Sequence, residues 1–198
     1  MVKEYRRVTV SLAQRPIYSV YANDQIYLSS ASFLIQKHNK YLNESIQSNR
    51  TGYYSGLYFN ASSDLICATS NQSVSIFDQN LSFVESFRVA LNPWFITEYK
   101  GMLVITDIST GYISHYKHNV LVETIYTECP DHITSILFDD YNHMMVLCYQ
   151  PSKLYIYHTN GTYIGIGYQT CFNSPLYMNF DSKGRLVITC NSNIDIYY

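Results

Sequence analysis

Apolar residues along this chain come in short bursts separated by polar turns, and one burst returns five times. It reads Gln25-Ile26-Tyr27-Leu28, Asp64-Leu65-Ile66-Cys67, Met102-Leu103-Val104-Ile105, Met144-Met145-Val146-Leu147 and Arg185-Leu186-Val187-Ile188. From Ile26 through Leu65, Leu103 and Met145 to Leu186 the step is about 40 residues, the period of four-stranded propeller blades rather than of shorter helical arrays. A second register runs at the same period. Each burst is followed by a β-rich run ending at an Asn turn: His38-Asn39, Gln79-Asn80, His118-Asn119 and Thr159-Asn160. Asn suits a tight hairpin in which φ is positive.

Each unit therefore reads as four short strands. First strands are predicted over 17–21, 56–59, 94–99, 133–138 and 176–180, rich in the aromatic and β-branched residues that pleated sheets favour. Asx and Gly residues at Asn23-Asp24, Ser62-Ser63-Asp64, Lys100-Gly101, 139–142 and 181–184 supply the turns to the second strands. No window sustains a capped helical period, so no helix is expected. The fold class predicted is an all-β propeller of about five four-stranded blades in one domain, 1–198, with blades at 15–48, 53–90, 93–128, 132–169 and 174–198 plus 5–12. The last unit stops after its third strand, and a lone strand at 5–12 precedes the first. Pairing the two would close the ring and remove an exposed sheet edge. The alternative is a piece of a longer array.

Met102-Leu103-Val104-Ile105-Thr106-Asp107 with Gly111-Tyr112-Ile113, and Asp181-Ser182-Lys183-Gly184-Arg185-Leu186-Val187-Ile188, resemble the repeat of NHL propellers. That repeat has a small hydrophobic first strand, a turn with Asp and Gly, and a Leu-Val-Ile type second strand, often with a following Asp. The other blades depart from it, carrying Ser, Thr or Tyr where the Asp stands. The resemblance implies a fold and a binding role. Lyase and lactonase propellers similar to this family carry metal-binding acids and His around the central channel. Here the first strands offer Tyr18, Ser55, Trp94, Thr134 and Leu176 to that channel, a poor metal lining.

Composition narrows the function. The net charge is −2, so nothing builds the basic face that phosphate contacts demand, and nucleic acid is not expected as a partner. The longest apolar runs are strand-sized, so no membrane span is expected. Met1 to Arg7 carries charge with no apolar run behind it, hence no signal peptide in this chain. Six sequons, at Asn43, Asn49, Asn60, Asn71, Asn80 and Asn160, fall mostly in predicted turns.

The cysteines follow the repeat. Cys129 and Cys171 precede first strands; Cys148 and Cys190 end second strands. An antiparallel hairpin brings those places together, so Cys129–Cys148 and Cys171–Cys190 are candidate disulfides, leaving Cys67 over; five reduced thiols are the other reading. Disulfides and sequons together point to an extracellular or luminal protein, with the cytoplasm as the alternative.

Catalytic patterns fail. His115 and His118 do not converge, while His38, His118 and His158 belong to different blades. No nucleophile elbow, phosphate loop or dinucleotide fingerprint occurs. No catalytic residue, metal or cofactor is assigned. The face built by the inter-blade joints and the loops after second strands should present Arg15, Arg50, Tyr53, Asn92, Trp94, Asp107, Asp131, His132, Tyr149, Asn173 and Asn191. From it Trp94, Arg50, Tyr53, Asp107, His132 and Tyr149 are the expected ligand-binding residues. Aromatic anchors with polar neighbours suit a protein or carbohydrate ligand on a monomeric, non-catalytic module. A metal-dependent hydrolase or lyase acting in the channel is the alternative.

Overall fold

The computed structural model describes residues 16–30, 34–39, 41, 45–90, 92–169, 174–190 and 193–197. It is a five-blade β-propeller with no helix among those residues. Blade one is β1 Pro16–Ala22, β2 Gln25–Ser30, β3 Ile35–Asn39 and β4 Ser45–Gln47. Blade two is β5 Gly56–Asn60, β6 Leu65–Ser70, β7 Ser73–Phe77 and β8 Phe83–Arg88. Blade three is β9 Pro93–Tyr99, β10 Met102–Asp107, β11 Tyr112–Lys117 and β12 Val120–Tyr126. Blade four is β13 Ile133–Phe138, β14 His143–Cys148, β15 Lys153–His158 and β16 Tyr163–Gln169. Blade five shows β17 Pro175–Phe180, β18 Leu186–Cys190 and β19 Ile194–Tyr197. Strands within every blade follow chain order and pair antiparallel, and the first strand faces the axis. The strand expected over 5–12, and its pairing with the last blade, lie outside the described residues.

Local chemistry explains the hairpins. Both central residues have positive φ at Asn23-Asp24 (50° and 58°), Lys100-Gly101 (50° and 74°) and His118-Asn119 (49° and 65°), the two-residue turn whose twist matches the strands. At Gln79-Asn80 and Thr159-Asn160 the positive φ falls one residue later, on Leu81 (62°) and Gly161 (86°). The Asp78 carboxylate accounts for the first shift: it accepts the amides of Asn80 and Ser82 and closes the turn around itself. Leu81 holds its left-handed conformation because its side chain plugs the core between blades one and two.

The core is divided into wedges between neighbouring blades rather than gathered in one centre. Phe59, Ile66 and Phe77 pack against Tyr27 and Ile35; Ile96 and Ile105 against Cys67 and Val74. Ile113, Val104 and Phe95 meet Met144, Val146 and Tyr157, and Leu147 meets Met178 and Ile188. The central positions of β2, β6, β10 and β14 are therefore buried on both faces, which is why the recurring burst is almost continuously apolar, whereas β18 alternates buried with half-buried positions.

Two further features set up the channel mouth. Four of the five first strands carry a register shift near their start, β5 being regular: Pro16/Tyr18 in β1, the residues opposite Ile105/Asp107 in β9, Ile133/Ser135 in β13 and Pro175/Tyr177 in β17. An extra residue in a strand re-aims the side chains around it. Buried hydroxyls then tie blade to blade. Ser55 donates to the Pro93 carbonyl (2.9 Å), Thr69 to Trp94 (3.0 Å) and Thr106 to Ile133 (3.2 Å), while the Met178 amide donates to Ser135 Oγ (3.4 Å).

Thr106 also accepts the Phe95 amide at 3.1 Å, so Thr106→Val orphans one donor and one acceptor inside the core. It is expected to lower the unfolding free energy by about 2–4 kcal/mol, read as a lower urea midpoint at unchanged slope. Thr106→Ser keeps the hydroxyl and should cost about 1 kcal/mol.

Candidate binding cleft at the channel mouth

The bulged first strands open a cleft at one end of the channel. Tyr18 and Ser19 of β1, Trp94 of β9, Thr134 of β13, Leu176 and Tyr177 of β17, Thr189 of β18, and the loop residues His132 and Tyr149 enclose about 620 Å³. That volume falls within the usual range for small-ligand and side-chain pockets, about 300–1,000 Å³.

Tyr18 crosses the channel from blade one and donates its phenol hydrogen to the Thr134 carbonyl of blade four at 3.0 Å. Burial, with Tyr177 nearby, pushes its pKa up, so it stays a neutral donor. Its ring stands edge-on to Trp94, 6.2 Å between centroids. Trp94 in turn lies 6.0 Å from the His132 ring, which stacks on Tyr149 at 4.5 Å and 21°.

The His132–Tyr149 stack is built by backbone and by sulfur. Tyr149 N–H donates to the His132 carbonyl at 3.2 Å. Three residues before His132 and one before Tyr149, buried Cys129 and Cys148 form the expected disulfide, with Cα atoms 5.8 Å apart. The bridge thus staples the inter-blade joint bearing His132 to the strand end bearing Tyr149. It fits an oxidising compartment. Cys190 ends β18 as Cys148 ends β14; Cys171 lies outside the described residues. Cys67 is a buried free thiol whose pKa burial, with Glu98 and Glu85 nearby, pushes up to about 12, leaving it inert.

Burial lowers the His132 pKa, and Asp131 opposes this only in part. Nδ1 faces Asp131 Oδ1 at 3.6 Å, and the carboxylate's charge favours the neutral tautomer protonated at Nδ1, in which Nε2 is an acceptor.

Of the residues expected to bind ligand, the structure gathers Trp94, His132 and Tyr149. Asp107 is buried away from the cleft: burial disfavours its charge, but donors from Asn92 N, Ser109 N and Oγ, and Thr110 Oγ1 outweigh it and hold the carboxyl below its usual value. That carboxylate organises the joint ahead of Trp94. Arg50 lays its guanidinium over Phe83 at 4.1 Å, and Tyr53 is exposed in the joint between blades one and two. Neither lines the cleft. Arg15, Asn173 and Asn191 lie outside the described residues. Sequence reasoning missed Tyr177 and Thr189. The available signal was Pro at the start of β1, β9 and β17, a residue tolerated at strand starts and bulges.

Among the described residues no group of three His, Cys, Asp or Glu side chains is placed to hold a metal ion, and no helix is long and apolar enough to cross a membrane.

No family model matches the sequence, and no curated protein does either. Solved structures match the fold. The chain superimposes on streptogramin B lyase with a TM-score of 0.73 at 14% identity, covering 91% of this chain and 65% of that one. A catalytically inactive virginiamycin B lyase from Staphylococcus aureus, solved with quinupristin, gives 0.71 at 13% identity over 90% of this chain and 68% of that one. The WD40 propeller domain of Doa1 gives 0.71 at 9% identity over 92% and 64%. This chain thus spans about two thirds of the length of these propellers.

Trp94 is the single Trp of the chain, so its fluorescence reports the cleft directly. Because the folded His132 pKa lies below the ordinary value of 6.5, the unfolded chain takes the proton first, and acidification through that window destabilises the fold. Trp94 emission should be quenched by the new imidazolium with a midpoint below 6.5, and His132→Gln should abolish the step. Removing the staple as Cys129→Ala/Cys148→Ala should cost about 3 kcal/mol in urea unfolding and shift Trp94 emission, as the His132–Tyr149 stack loosens.

Proposed function

We propose that this chain is a non-catalytic interaction module of NHL-like propeller type, binding a protein or glycan ligand through its loop face in an extracellular or luminal setting. The observation that carries the reading is the Trp94–His132–Tyr149 wall, a stacked His132–Tyr149 pair with Trp94 tilted against it, lining a cavity and stapled by Cys129–Cys148. Aromatic side chains supply contact area at low entropic cost, and rigid support lets that area become affinity. The disulfide supports the compartment, as do the exposed sequon residues Asn71, Asn80 and Asn160. A second bridge, Cys171–Cys190, belongs to the same proposal. A peptide map without reductant should join these cysteines in two pairs and show Cys67 alkylated only after unfolding.

Lyases stand among the structural neighbours, and a hydrolase or lyase acting in the same cleft is the competing reading. Stoichiometric metal retained through purification, together with turnover, would replace the binding-module proposal.

The test is a screen of the whole protein against a glycan array and an immobilised library of synthetic peptides. Trp94→Ala and Tyr149→Ala should each weaken any ligand found by about 2 kcal/mol, or 30-fold, with the β-sheet circular dichroism of the folded chain retained. Ligands that bind both variants as well as the parent chain would move the site away from this cleft.

A further inference from the structure

We propose that the cleft binds an organic cation, the guanidinium or ammonium group of an Arg or Lys side chain on a partner protein, against the aromatic wall that Trp94 and the stacked His132–Tyr149 pair present to the cleft. The inference rests on the binding-module reading and adds the chemical class of the ligand.

The hydrogen-bonding inventory points there. Tyr18 spends its hydrogen on the Thr134 carbonyl, Thr134 on Leu147 (3.2 Å) and Thr189 on Tyr177 (3.3 Å). These oxygens offer a ligand lone pairs only. His132 is held neutral by burial and presents an acceptor at Nε2. No Lys or Arg lines the cleft among the described residues, while the Asp131 carboxylate stands beside it with its side chain 40% exposed. Ser19, Tyr149 and Tyr177 add hydroxyls that accept as well as donate. Aromatic surface, these oxygens and one carboxylate, without a competing cation, make an environment complementary to positive charge. The lining is poorer in what a sugar needs, since it contains no amide or Arg side chain to pair with vicinal hydroxyls. The chain already uses this contact on its own surface: Lys100 Nζ lies 4.8 Å from the Tyr99 centroid.

A second cavity indicates that the cation arrives on a polypeptide. Tyr149 also lines a groove of about 660 Å³ with Pro130, Asp131, Gln150 and Ser174, open and more polar than the cleft. A cationic side chain in the cleft can therefore extend its main chain along that groove, where backbone amides meet polar partners.

The experiment is a Trp94 fluorescence titration of the whole protein with paired synthetic hexapeptides in a Gly-Ser background. Each pair differs at one position, Arg against citrulline or Lys against acetyl-lysine, so shape is kept and charge removed. Tetramethylammonium chloride and chitotriose form the other arms. The expected result is saturable change with an Arg or Lys peptide at about tenfold higher affinity than its neutral twin, weakened in Tyr149→Leu and, with the same peptides titrated by calorimetry because that variant has no Trp, lost in Trp94→Ala. Neutral twins binding equally well, or chitotriose alone binding, would overturn the cation inference while leaving the binding module standing. Tetramethylammonium matching the best peptide would overturn the peptide occupant in favour of a free small cation. No response to any probe in this titration, with no ligand on the glycan or peptide screens, would overturn both.

Discussion

The rest of this structure depends on how one blade is tied to the next. A propeller places the first strand of every blade around an axis, where its inner edge has no strand to pair with. Here carbonyls near the start of those strands are met by hydroxyls from the preceding blade: Ser55 and Thr69 reach Pro93 and Trp94, and Thr106 reaches Ile133. All three hydroxyls are buried. Each would cost about 1–3 kcal/mol if left unpaired, so the spacing between blades is held to the length of a hydrogen bond rather than to the tolerance of an apolar contact. Apolar wedges supply the bulk of the attraction between blades, and the hydroxyls set the distance at which it is satisfied.

That tie has a consequence for the channel mouth. A first strand anchored at its start and paired along its length must absorb any excess residue locally, and it does so as a bulge. Trp94, Thr134 and Leu176 sit in or next to those bulges and line the cleft. The same region of blade four carries the disulfide. Cleft and blade geometry are thus one construction: the rings that line the cleft are positioned by the devices that close the core.

Much of this was legible in the residues. The recurring apolar burst named the second strands, and Asn and Gly marked hairpins whose positive φ values the structure displays. Cys129 and Cys148 could be paired because the repeat put them at the same end of one hairpin. Trp94, His132 and Tyr149 were legible for a related reason, since each follows a joint or a second strand on the predicted loop face. Asp107 shared that position and went elsewhere. Its carboxylate was claimed by four donors within its own joint, a competition that depends on loop conformation and leaves no trace in spacing.

Sequence alone determined the architecture, because a period of alternating burial and turn chemistry is a local property repeated along the chain. Only the tertiary structure decided that Thr69 and Thr106 face the next blade's carbonyls, that Tyr18 spans the channel to Thr134, and that Tyr177 joins the cleft. Those outcomes turn on register shifts of one residue and on contacts between segments 25 or more positions apart. Free energy at such places is set by which partner arrives, and that is a property of the closed fold.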